Sequence, residues 1–258
     1  IYWFKTPQKY WLNKKNISLQ EPFIHHPEEV YLSNYQKPKL ITKVIQQLEI
    51  DNENIIEDLR NLNINDQLVE NGIFTPKNSI FTKEKEIKDL VTSLSANFSR
   101  HKKINRIYVK SNSNKEEYFI SDNVVFELIH AKLTFGRLAE AWVKLLFISN
   151  LKKNIKKMEV IFRTENRYKS QTLRSPGAID ANLILAEYIN LFKNSTEKCL
   201  PLPPESTYKY VEAKIKSKNE KKAFTDKWIG NKNFSKGERD NIEMKMCFGN
   251  DKEPDFFL

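Results

Sequence analysis

The chain has 258 residues, 40% of them hydrophobic and 12% aromatic, which is enough to bury a core and too apolar for a disordered polymer. Its net charge of +10 and pI near 9.3 favour nucleic acid or another acidic partner, although Lys and Asn are both abundant and an all-round Lys excess is not a binding patch. No apolar run reaches about 18 residues, so no membrane-spanning helix is expected.

Two cysteines, Cys199 and Cys247, lie far apart with no partner spacing. They point to a reducing compartment and to no metal framework. The chain opens at Ile1 and finishes abruptly on Phe256-Phe257-Leu258, which reads as a piece cut from a longer protein.

Residues 1–16 are aromatic and basic (Tyr2, Trp3, Phe4, Tyr10, Trp11) and read as a linker or N-terminal arm that packs on something. Single-stranded nucleic acid could also stack there. From Ile17 to Tyr35 a helix start is expected, with Ser18 and Glu21 at capping-box spacing and Pro22 and Pro27 keeping the helix short or broken. His25-His26 has no His/Cys cluster around it and is not read as a metal site. Leu40–Leu48 and Glu53–Asn71 are expected helices, the second stopped by Gly72. A turn is expected at Thr75–Asn78. Lys83–Phe98 follows as an amphipathic helix, with Ile87, Leu90, Val91, Leu94 and Phe98 on one face.

The central stretch, Ile104–Asn150, reads as strand, turn, strand and then one almost wholly apolar helix. Strands are expected at Ile104–Lys110, Tyr118–Ile120 and Val124–Ile129, with Ser111–Asn114 as a turn. Arg137–Asn150 is the helix. Arg137, Glu140 and Lys144 form its one narrow wet stripe, with Glu140 and Lys144 paired at i,i+4. A helix this apolar must be covered on nearly all sides.

Beyond it come a basic turn at Lys152–Lys157, a short strand at Glu159–Arg163 and a polar, basic loop at Asn166–Arg174. Ser175-Pro176 supplies an N-cap and first-turn proline for a helix from Gly177 to about Asn194, with Ala181, Leu185, Tyr188, Ile189 and Phe192 on its inner face. Cys199–Glu205 is a proline-rich break, Thr207–Lys218 and Lys221–Ile229 are helical, and Asn231–Asn241 is a loop. There are no internal repeats.

The chain carries no P-loop, serine elbow, HExxH or CxxC motif. The arrangement left to weigh is carboxylates plus lysine, as in Mg-dependent nucleases, where acidic groups hold the metal and a lysine assists the attacking water. Asp122 and Glu127 offer it on the central strands, but Ile129 stands two after Glu127 and Lys132 lies farther along. Pro204-Glu205 with Glu212-Ala213-Lys214 spells the pattern as well, on a segment that reads as helix where adjacent strands are needed.

Several motifs then occur in one order. Ile17-Ser18-Leu19 with Phe23, His26-Pro27 and Tyr31 comes first, followed by Leu59, Leu62-Asn63, Asn65 and Gln67-Leu68. Leu138 and Trp142 with Leu145-Leu146 are next, with Lys144 where a histidine is usual, then Ile179 to Phe192. Leu202-Pro203-Pro204-Glu205-Ser206, Lys222-Ala223 through Trp228, and Gly237-Glu238 with Asp240 complete the series. Taken together they resemble the C-terminal region of the RecC family, the gamma subunit of exodeoxyribonuclease V (the RecBCD helicase–nuclease).

The resemblance implies an α/β fold, a PD-(D/E)XK nuclease-like mixed sheet flanked by helices, catalytically degenerate. Residues 17–258 would form one such domain, mainly helical over 17–100 and sheet plus helices over 101–258. It implies a non-catalytic structural and DNA-guiding role in double-strand break repair, with no cofactor of its own, Mg and ATP being used by partner subunits. The implied partners are double- and single-stranded DNA, a RecB-like beta subunit and a RecD-like alpha subunit, in the bacterial cytoplasm at the nucleoid. No catalytic or metal-binding residue is expected. The basic residues expected to meet phosphate are Lys102, Lys103, Arg106, Arg167, Lys169 and Arg174.

Overall fold

The computed structural model describes residues 3, 6–18, 77–101, 104–111, 114–231, 235–250 and 253–254. The helices expected at 17–35, 40–48 and 53–71, the His25-His26 pair and the first two family motifs lie outside the described residues, Ile17 and Ser18 excepted. The chain divides into two compact units: residues 24–133 with 145–181, and residues 1–23 with 134–144 and 182–258.

The first unit is built on a five-stranded sheet, ordered β1 (Asn105–Ser111), β2 (Asn114–Ser121), β3 (Val124–Ile129), β4 (Lys157–Arg163) and β5 (Tyr168–Arg174). The sheet is mixed: β3 and β4 are parallel and the other pairs antiparallel. A parallel pair needs a long crossover, and α3 (Phe135–Leu151) supplies it. The turn between β2 and β3 is only Asp122-Asn123, with Asp122 at φ +50°. Aspartate tolerates that left-handed conformation better than most residues.

Helix α2 (Lys77–Phe98) lies against the sheet. It starts earlier than periodicity indicated, because Lys77 and Asn78, expected in a turn, belong to its first turn. Leu90, Val91, Leu94 and Phe98 are buried, as their spacing requires. The Phe98 ring packs on Phe126 of β3 at 5.2 Å, and Ser93 Oγ accepts the Tyr168 N–H at 2.8 Å. That bond ties α2 to β5.

β5 is the correction to the sequence reading, which took Asn166–Arg174 for a loop. The strand runs antiparallel to β4 from Arg163↔Tyr168 to Lys157↔Arg174. Its residues are polar because it is the outer strand of the sheet, where charged side chains face water and discourage further pairing. The apolar signal for a strand is therefore almost missing.

Helix α3 confirms the apolar segment. Ala141, Val143, Leu145, Leu146 and Ile148 are buried. The wet stripe is present too, with Lys144 Nζ 3.6 Å from Glu140 Oε1.

The second unit is helical. Its elements are α1 (Pro7–Lys14), most of α4 (Ala178–Ser195), α5 (Pro204–Ile215), α6 (Glu220–Ile229) and α7 (Ile242–Phe248), plus a two-residue strand pair, Gly230–Asn231 with Ser235–Lys236. Proline opens α1 and α5 at the first helical position, where its missing N–H costs nothing. The aromatic N-terminal residues pack: Trp3 is buried, and both its ring and that of Tyr10 lie against Phe192, at 5.7 and 5.6 Å. Phe224, Trp228 and Met244 form a small core with Tyr210, Ile229 and Phe248 around it.

On α4, Ala181 is buried as expected, but Ile189 is 52% exposed, and Ile179 and Leu183 are exposed with it. No helix among the described residues is long and apolar enough to cross a membrane.

Candidate nucleic-acid interface

The expected basic residues do not gather in one place. Lys102 and Lys103 lie outside the described residues. Arg106 sits in β1 opposite Phe119, and Lys169 is exposed in β5 opposite Phe162. Arg167 is exposed in the β4–β5 connection, where its carbonyl accepts from both the N–H and the hydroxyl of Thr164 at 2.8 Å. Arg174 ends β5. At about 3.3 Å of rise per residue, Arg167 and Arg174 stand roughly 23 Å apart along the strand.

Arg174 has company that the sequence reading did not pick. One end of the sheet brings together the Asp122-Asn123 turn, the start of β4 and the end of β5, with Lys157 paired to Val124 on one side and to Arg174 on the other. There a cleft of about 1150 Å³ is lined by Lys153, Lys156, Lys157 and Arg174, with Asp122 the one acidic residue among the described residues of its lining. The signal lay in the run Lys152-Lys153-Asn154-Ile155-Lys156-Lys157, read simply as a basic turn.

The backbone holds this cleft in shape. Asn123 O accepts the Lys156 N–H at 2.9 Å, and Lys156 O accepts the Ser175 N–H at 2.8 Å. Ser175 Oγ is 2.9 Å from Ser149 Oγ and accepts the Gly177 N–H at 3.1 Å. Gly177 takes φ +92°, a conformation that disfavours any side chain, so the chain can turn sharply into α4.

Among the four cations, Lys157 is already engaged, its Nζ bonding Glu159 Oε1 at 2.7 Å. His101 Nε2 approaches the other oxygen of Glu159 at 3.4 Å. Burial alone would raise the Glu159 carboxyl, but Lys157 and His101 together hold it below the usual range. Lys153, Lys156 and Arg174 have no carboxylate partner among the described residues.

The nuclease-type groupings fall on the following elements. Asp122 lies in the turn before β3, Glu127 inside β3 and Lys132 beyond its end. Glu212 and Lys214 are on helix α5, and Glu212 is bonded by Lys209 and Lys216, both at 2.7 Å. Those contacts hold its carboxyl down to about 2. Glu205 Oε1 accepts the Phe135 N–H at 3.0 Å. Among the described residues no three His, Cys, Asp or Glu side chains come together as a metal site.

Behind β5, the Tyr168 hydroxyl shares a hydrogen bond with His130 Nδ1 at 2.8 Å. Burial, and then the nearby Arg163 guanidinium, push His130 down to about 4, so the ring is neutral near pH 7. This pair anchors the edge strand.

The cleft is thus basic and open, and lies at one end of the mixed sheet. Residues 101–215, which hold the whole sheet and the cleft, match the family model of the RecC C-terminal domain. Over that stretch the chain is similar to the RecC C-terminal domain family. No curated protein matches the chain.

Proposed function

We propose that the chain serves as a non-catalytic structural and DNA-guiding domain of a RecC-type subunit, working within the RecBCD helicase–nuclease in double-strand break repair. The family match over residues 101–215 carries this reading. The mixed sheet is read as a nuclease-like scaffold whose metal pocket has been lost, supported by the described residues, among which no three His, Cys, Asp or Glu side chains gather as a metal site. Subunit docking is supported by α4, where exposed Ile179, Leu183 and Ile189 leave more apolar surface than a helix in water usually keeps together. The companions are a RecB-like beta and a RecD-like alpha subunit, which use the Mg and ATP. Arg106, Arg167 and Lys169 are proposed phosphate contacts along the sheet, and Arg174 at its end.

Two measurements test this. In a plasmid-nicking assay with Mg²⁺ or Mn²⁺ the purified chain leaves the plasmid intact, and in a high-salt pull-down the alpha subunit retains it. Cleavage that disappears in both Glu212→Ala and Lys214→Ala would overturn the reading in favour of an active nuclease.

A further inference from the structure

We infer that the cleft between the Asp122-Asn123 turn, the start of β4 and the end of β5 grips the sugar–phosphate backbone of duplex DNA, through Lys153, Lys156 and Arg174. The inference rests on the RecC reading for the identity of the polyanion as DNA. Everything else in it comes from the cleft.

Charge comes first. Among the described residues, three cations without carboxylate partners line the cleft with a single acid, Asp122. Lys157 contributes little, because Glu159 already neutralises it at 2.7 Å. Such a surface attracts phosphate and releases the counterions that surround it.

Spacing fits as well. Lys157 is the register partner of Arg174, so Lys156, the residue just before β4, lies beside the end of β5. Adjacent strands are about 4.8 Å apart, and phosphates of one DNA strand follow every 3.4 Å or so along the helix axis. Side chains as long as lysine and arginine at that separation can reach neighbouring phosphates of one strand.

Order is paid for in advance by the fold. The backbone bonds from Lys156 to Asn123 and from Ser175 to Lys156 fix the turn that carries two of the three cations. Only side-chain freedom is lost on binding, which limits the entropic cost.

Size and lining decide the kind of ligand. A volume of about 1150 Å³ exceeds the roughly 300–1,000 Å³ of a small-molecule pocket. Among the described residues that line it, none is aromatic. Single-strand binders stack unpaired bases on aromatic rings. A duplex keeps its bases stacked inside and offers phosphates outward, which is what lysine and arginine alone can hold. The cleft therefore suits the duplex ahead of strand separation, not a separated strand.

The test is equilibrium binding of the whole chain to a labelled duplex of about 20 base pairs and to the single strand of the same sequence, over a range of salt. Lys153→Ala, Lys156→Ala and Arg174→Ala should each weaken duplex binding several-fold and flatten its log–log salt slope by about 1. Asp122→Asn should tighten duplex binding. Lys221→Ala, an exposed lysine on α6, should change nothing. Single-strand affinity should move less than duplex affinity in every cleft variant, with melting temperatures unchanged.

The inference fails if the cleft variants bind duplex like the parent, or if single-strand binding falls as far as duplex binding. It also fails if poly-glutamate displaces the duplex at matched charge, which would assign the cleft to an acidic protein segment. A chain that fails these tests yet is retained by the alpha subunit and does not nick DNA loses this inference and keeps the RecC reading.

Discussion

Glu238 Oε2 accepts the backbone N–H of Ser206 at 2.7 Å, and its Oε1 accepts that of Glu205 at 3.0 Å. One carboxyl from the short 3₁₀ turn Glu238–Asp240 thereby closes the N-terminus of α5, whose own N-cap position, Pro203, has no side chain to do so. The first N–H groups of a helix have no partner within it, and a carboxylate there also meets the favourable end of the helix dipole. The Leu-Pro-Pro-Glu-Ser and Gly-Glu motifs, more than 30 residues apart, are thus two halves of one cap. Burial raises the Glu238 carboxyl even though the backbone N–H groups of Glu205 and Ser206 oppose the rise.

Glu238→Ala strips both acceptors and leaves two N–H groups buried beside them, so it should lower stability by about 1–3 kcal/mol. Glu238→Gln keeps one amide oxygen and the packing, and should lose less than half as much. Urea denaturation curves of the three proteins separate these outcomes. Equal losses in the two variants would deny the capping role.

Gly237, just before this turn, holds a different constraint. Its φ of −71° is ordinary, so its backbone angle sets no demand. The difficulty is room: an added Cβ would lie 2.3 Å from the carbonyl oxygens of both Trp228 and Ile229, which are backbone and cannot swing aside. Gly237→Ala should therefore cost about 2 kcal/mol or more, read as a melting temperature lower by roughly 5 °C. Near-ultraviolet dichroism of the buried Trp228 should change with it. A variant that melts with the parent would show that the turn has slack.

His130 sets an acid limit on the sheet. In the folded chain it takes its proton near 4, against 6.5 when exposed. Between those values the unfolded chain binds more protons, so stability falls as pH drops from 6.5 toward 4, by on the order of 3 kcal/mol. Glu159 adds to the loss only lower down: its depressed carboxyl stabilises above the ordinary carboxylate range, and that gain disappears as pH falls through its folded value. In His130→Gln the slope between pH 6.5 and 5 should flatten, and denaturant titrations at half-unit steps will measure it. An unchanged slope would move the acid sensitivity to another group.

Leu94 tests the α2 contact with the sheet. It is fully buried. Leu94→Ala should destabilise by about 2–5 kcal/mol, counting both lost transfer energy and the cavity left behind. Leu151→Ala, at a side chain 56% exposed, should stay within roughly 0.5 kcal/mol. Parallel thermal melts of the two variants give the comparison directly.

By itself the sequence determined the elements whose burial is periodic. A short apolar run gave β3 to the residue, and i, i+3, i+4 spacing gave the buried face of α2, because each pattern is the imprint of a segment meeting a core. It also carried the resemblance to the RecC C-terminal region, through motifs whose order holds when no single one is diagnostic. Tertiary structure decided whatever depends on partners distant in the chain. β5 is a strand only because β4 pairs with it, and Arg174 meets the lysine turn only through the register Lys157↔Arg174. Cys199 and Cys247, read as unrelated, influence each other, the interaction raising the Cys199 thiol and lowering that of Cys247. Side-chain pattern reports how a segment faces the core, whereas long-range hydrogen bonding and strand register fix which charges become neighbours, and no local pattern encodes them.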